Sequence, residues 1–108
     1  MGIGTSPFTE LHGDKGGHYY VRLIGGDVWW YAEDKGGLWA HVFKGVLKKN
    51  DQTIIGEWAD IPKGESSNNG KVELAIINDN EAEVSKQTGG FIDSKLKEAT
   101  IGPQIATG

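Results

Sequence analysis

Glycine falls in clusters, and the clusters separate apolar runs. Gly13-Asp14-Lys15-Gly16-Gly17, Gly25-Gly26-Asp27, Glu33-Asp34-Lys35-Gly36-Gly37, Ser66-Ser67-Asn68-Asn69-Gly70 and Gly89-Gly90 each stand between stretches rich in aliphatic and aromatic residues. Glycine reaches the left-handed backbone conformations that tight turns need, and it weakens any regular element it sits in. There are 17 glycines in 108 residues, against a typical share of about 7%. With three prolines and no Gly-X-Y period, this is punctuation and not collagen. Between clusters no apolar period of 3.6 residues persists, while β-branched and aromatic residues recur and several runs alternate. The pattern predicts short strands joined by turns.

Eight strands are expected: Phe8–His12, His18–Ile24, Val28–Ala32, Leu38–Leu47, Gln52–Ile61, Lys71–Ile77, Glu81–Lys86 and Ser94–Thr100. Gly45 inside the fourth marks a bulge or bend, and Pro62 ends the fifth. Ser94–Ala99 also reads as a helix with Ser94 as N-cap; strand is preferred because a barrel needs a closing partner. Every link is short, so each strand should pair with the next. The expected fold is all-β, a small antiparallel up-and-down meander barrel, since a Greek key needs a long return connection. Closure also removes exposed edges. The expected domain is residues 8–100, with tails at 1–7 and 101–108.

In a meander, alternate links lie at the same end. The links after strands one, three, five and seven are the elaborate ones, so a mouth would sit there. Asp-Lys-Gly-Gly occurs twice, at Asp14–Gly17 and Asp34–Gly37, 20 residues apart. It is a remnant of duplication or, preferably, good turn chemistry used twice.

Charge and composition exclude some classes. A net charge of −4 disfavours a phosphate-backbone binder or an anionic membrane surface as partner. No run of 18 apolar residues exists, so no membrane-spanning helix is expected. Met1–Pro7 lacks a basic segment followed by an apolar stretch, so no signal peptide is expected. Without cysteine there is no disulfide and no thiolate metal site. No cofactor is expected.

The candidate functional residues are aromatic. Neighbours on a strand point to opposite faces, so Tyr19/Tyr20 and Trp29/Trp30 cannot both be core. In strand five Ile54, Gly56, Trp58 and Asp60 share a face. In strand six Val72, Leu74 and Ile76 do. Strand two poses the question. A packed core places Tyr19, Val21 and Leu23 inside and leaves Arg22 in water. A ligand-holding barrel places Tyr20 and Arg22 inside, facing Trp58 and Asp60. Arg22 is the only arginine among ten lysines; inside it would need a partner such as Asp60, and outside it would stack on Tyr20 or Trp29.

Enzyme signals are weak. His12, His18 and His41 are candidate bases, but no nucleophile elbow, His-Glu-x-x-His or Walker pattern occurs. Glu57 and Asp60 lie on opposite strand faces, which is wrong for an acid pair. Asn78-Asp79-Asn80 is a turn and lacks the later residues of a calcium loop.

The blocks Gly17-x-Tyr19-Tyr20-Val21-Arg22-x-Ile24-Gly25, Val28-Trp29-Trp30, Val42-Phe43-x-Gly45 and Gly56-Glu57-Trp58-Ala59-Asp60-Ile61-Pro62-Lys63-Gly64 resemble those of an uncharacterised group of small bacterial β domains, over roughly residues 10–95. That group carries no activity across. In architecture the meander resembles avidin-like and lipocalin-like barrels, which are binding proteins. The lipocalin Gly-x-Trp opening is absent, with Thr9-Glu10-Leu11 in its place, and no biotin-binding set matches. The expectation is therefore a non-catalytic domain holding a small carbohydrate-like or polar-aromatic ligand at the barrel mouth or interior. Its candidate site is Tyr20, Arg22, Trp30, Trp39, Trp58 and Asp60. The alternative is a protein-interaction or homodimer module that uses exposed aromatics.

Overall fold

The computed structural model describes residues 3–50 and 52–98. Eight strands follow one another: β1 (Phe8–Gly13), β2 (Gly17–Ile24), β3 (Asp27–Asp34), β4 (Ala40–Lys48), β5 (Thr53–Asp60), β6 (Asn69–Asn78), β7 (Glu81–Gln87) and β8 (Lys95–Glu98). Each is antiparallel to the next, and β8 returns to β1, so the sheet is a closed meander barrel. Among the described residues there is no helix. The preferred strand reading of Ser94–Thr100 holds over Lys95–Glu98 and the competing helix is not formed there, while Ala99, Thr100 and the expected tail 101–108 lie outside the described residues.

The strand ends differ from expectation where side chains bond to backbone. β3 runs on to Asp34, whose carboxylate accepts from the Leu38 N–H at 3.1 Å. Leu38 and Trp39 consequently belong to the turn, and β4 begins at Ala40. Closure is achieved by few residues: β8 makes three register pairs with β1 and three with β7.

Alternation decides what fills the barrel. Tyr19, Val28, Trp30, Ala32, Phe43, Ile54, Trp58, Val72, Leu74, Ala82 and Leu96 form one buried cluster. Trp30 and Phe43 stack with ring centroids 3.8 Å apart. The stack needs room, and two glycines provide it. Gly45 and Gly56 face each other in register, and a Cβ on either would come within 2.6 Å of Phe43 Cζ. Gly45 therefore marks a close approach; the register breaks lie in the β6–β7 pairing, at Glu73/Leu74 and Ile76/Asn78.

The plain end is closed from the N-terminal side. Ile3 is buried with the core, and its N–H donates to the Asp79 carbonyl at 2.9 Å. The segment read from sequence as a tail thus contributes a core residue. The two Asp-Lys-Gly-Gly turns differ in backbone: the positive φ falls on Gly16 in the first and on Gly37 in the second. The turns also touch, through the Lys35 N–H donating to the Gly16 carbonyl at 3.0 Å.

The glycine pair yields a direct expectation. Gly45→Val should lower unfolding free energy by about 1–3 kcal/mol, the usual cost of overpacking. Gly26→Ala, where a Cβ would meet nothing within 4 Å, should change it by less than about 0.5 kcal/mol. Urea denaturation of both variants checks the contrast.

Candidate functional site

The elaborate end is plugged from within. The β7–β8 link passes through Gly89 and Gly90, both at positive φ, and turns Phe91 and Asp93 into the barrel. Phe91 lies against Tyr19, Trp30, His41 and Trp58, with centroids 5.3–6.4 Å away. Trp39 leans in from the β3–β4 turn and stacks on His41 at 5.0 Å. Aromatic pairs at such separations add to the gain from burial.

The polar atoms within this plug are matched to one another. The Tyr19 hydroxyl donates to Asp93 Oδ2 at 2.8 Å, and the Lys15 N–H donates to Asp93 Oδ1 at 2.6 Å. Gly13 and Gly17 leave the space that the Asp93 carboxylate fills, since a Cβ on either would collide with it. Trp30 Nε1–H and His41 Nε2 lie 2.9 Å apart, so the indole donates and Nε2 is the unprotonated nitrogen of the ring. Trp58 Nε1–H donates to the Thr88 carbonyl at 3.2 Å. Among the described residues no buried side-chain nitrogen or oxygen lacks a partner.

Burial also sets the charges. It pushes His41 down to about 4, so the ring is neutral at pH 7. Burial raises the Asp93 carboxyl above its ordinary value, against the opposing pull of the hydrogen bonds from Tyr19 and Lys15. The Tyr19 hydroxyl is raised by burial and by the neighbouring Asp93 charge.

The six sequence-derived residues fall into two groups. Trp30, Trp39 and Trp58 are buried, and Asp60 is half-buried on the inward face of β5. Tyr20 and Arg22 are on the outer wall. The arrangement with both inside is not adopted: Tyr19, which is fully buried, takes the inward face instead. Arg22 does not meet Asp60. Its guanidinium lies over the Phe8 ring, 4.5 Å from the centroid, and not over Tyr20 or Trp29. Trp39, Trp58 and Asp60 do come together, around a crevice of about 30 Å³ at the mouth. Sequence reasoning missed Phe91 and Asp93. An apolar pair, Phe91-Ile92, inside a polar glycine-flanked link was the available signal.

The larger space lies outside. A groove of about 730 Å³ runs over β3 to β6 and is lined by Trp29, Val42, Lys44, Glu57, Ala59, Gly70 and Lys71, among others. On the outer face small Ala59 sits beside long Lys44, Glu57 and Lys71, whereas Gly70, across from inward-facing Trp58, belongs to the inner face. Cross-strand register aligns Arg22, Trp29, Lys44, Glu57 and Lys71 in one row. Trp29 is 44% exposed, with Lys44 Nζ 5.2 Å from its ring centroid. His12 and His18 lie on the outer wall, their rings 4.6 Å apart, and His18 Nε2 is 3.3 Å from Glu10 Oε1. Among the described residues no group of three His, Asp or Glu is placed to hold a metal ion.

The fold and mouth define a meander barrel filled by its own side chains. No protein-family model, curated protein or solved structure matches the chain.

Burial of neutral His41 makes stability depend on pH. The unfolded imidazole takes a proton below about pH 6.5, its ordinary value, and the folded one only below about 4. Stability from this group is therefore complete above pH 6.5 and is lost as pH falls towards 4. At about 1.4 kcal/mol per unit, the loss approaches roughly 3 kcal/mol. Asp93, with its raised value, works in the opposite sense. In His41→Gln, whose amide oxygen can still accept from Trp30, the fall in urea midpoint between pH 7 and 4 should be smaller than in the parent.

Proposed function

We propose that the chain is a non-catalytic binding domain for a small ligand, carbohydrate-like or polar-aromatic, taken on the outer wall beside Trp29. One observation carries the reading. The groove of about 730 Å³ has an exposed indole at its side, whereas the mouth leaves about 30 Å³. Small-ligand sites typically enclose about 300–1,000 Å³ with apolar walls and a few polar groups. Val42, Ala59 and Trp29 supply the apolar walls, and Lys44, Glu57 and Lys71 the polar rim. A half-exposed indole gives a sugar ring or flat ligand a rigid stacking surface at small entropic cost. The most buried histidine is unsuited to proton transfer with a ligand, because its Nε2 already accepts from Trp30.

Titration of intrinsic fluorescence with a panel of saccharides and aromatic metabolites tests this reading. Trp29→Ala should weaken any binding found at least tenfold and leave the circular dichroism spectrum unchanged. Binding that survives the substitution places the ligand elsewhere.

A second reading, that of an interaction module, rests on a separate observation. Six of the nine exposed large hydrophobics among the described residues, namely Phe8, Tyr20, Ile24, Trp29, Val42 and Val46, share the outer face of β1 to β4. Apolar surface gathered on one face often marks a protein contact. Sedimentation velocity decides it: a concentration-dependent dimer weakened by Trp29→Ser supports the module, and a monomer at every concentration removes self-association.

A further inference from the structure

The crevice at the mouth has aromatic walls and one carboxylate. Trp39, His41, Trp58 and Phe91 bound it, with Asp60 at its rim. His41 is 5.0 Å from Trp39, 5.5 Å from Trp58 and 5.3 Å from Phe91, centroid to centroid. Trp58 meets Phe91 edge to face at 5.7 Å. The four rings pack against one another and together line the crevice. Asp60 stands directly across the ladder from His41. Its Oδ2 accepts the Asn68 N–H at 2.9 Å, which fixes the carboxylate. Among the described residues no lysine, arginine or histidine comes within 4.0 Å of it, the ion pairs present being Lys15–Asp14, His18–Glu10 and Lys63–Glu33.

We propose that this crevice is a second binding site, separate from the groove beside Trp29, and that it takes the ammonium head of a primary or monomethylated alkylamine. Ring faces attract a cation through their quadrupoles, and the attraction grows when the cation is desolvated. Asp60 supplies the countercharge and an acceptor for the N–H groups. His41 is neutral at pH 7, so no positive charge inside opposes entry. Size selects the head. About 10–15 Å³ holds one water, and about 30 Å³ admits an ammonium or methylammonium but not a bulky quaternary group. Ile92, an exposed residue of the lining, offers the alkyl chain an apolar contact. The same chemistry belongs to a free amine and to a lysine side chain.

The indole N–H resonances of a ¹⁵N-labelled protein report the site, because each tryptophan gives its own signal. The probes are butylammonium and N-acetyl-lysine amide, with butanol as the neutral isostere and sodium chloride at equal ionic strength as control. Saturable shifts of Trp39, which lines the crevice and not the groove, and of Trp58, which lines both, are expected for at least one amine, with Trp29 unmoved. The tighter of the two identifies the source. Asp60→Asn should weaken binding at least tenfold, and tetrabutylammonium should not bind. Butanol binding as tightly as butylammonium, shifts centred on Trp29, or no saturable shift would each overturn the proposal. The butanol comparison uses the parent protein alone, so it decides the matter even if Asp60→Asn does not fold. Trp29→Ala should leave these shifts unchanged, which separates this site from the outer groove.

Discussion

Eight strands closed on themselves leave a bore that side chains must fill, and in this barrel large rings fill it. Voids cost contacts and overpacking forces strain. The solution pairs the largest residues with the smallest. Phe43 and Trp30 stack where Gly45 and Gly56 give up their side chains. The same exchange recurs at the mouth, where Gly13 and Gly17 make room for Asp93. With the bore occupied, the mouth keeps a crevice of about 30 Å³ and the wider groove of about 730 Å³ lies on the wall.

Large aromatics carry polar handles, and burying such a handle unpaired is costly. The buried hydroxyl of Tyr19, the indoles of Trp30 and Trp58 and the ring of His41 each find a partner inside the protein. Two of those partners, Asp93 and the Thr88 carbonyl, come from the β7–β8 link or its edge. That link is therefore part of the core in every energetic sense, although its backbone is irregular. An unpaired buried polar group would cost about 1–3 kcal/mol, so losing any one of these partners would weaken the mouth.

Much of the architecture was legible in the sequence, because glycine punctuation and two-residue alternation are local signals. Eight strands and their order follow from them. The facing of β6 was plain, since Val72 and Leu74 alternate with charged Lys71 and Glu73, whereas β5 offered two faces of mixed polarity. β2 was not, because Tyr19 and Tyr20 are chemically alike and either face could be the core. What decides it is nonlocal: Asp93, 74 residues further on, gives Tyr19 its partner. The site was half-legible for the same reason. Trp39, Trp58 and Asp60 were found from residue type and strand face. Phe91 and Asp93 were not, because a loop residue's inward turn depends on what it meets across the barrel. The outer groove was invisible, since it arises from differences in side-chain length between neighbouring strands.

The short β8 has a consequence for how the molecule assembles. Hairpins β1–β2 through β6–β7 join neighbours in sequence, so each closes a small loop at small entropic cost. The seam between β1 and β8 joins opposite ends of the chain through three register pairs. Such contacts come late in folding and are the first to open. The barrel is thus a sheet that rolls up and latches, with Phe91 and Asp93 arriving on the latch side. Its interior is sealed in the same event that completes the cylinder.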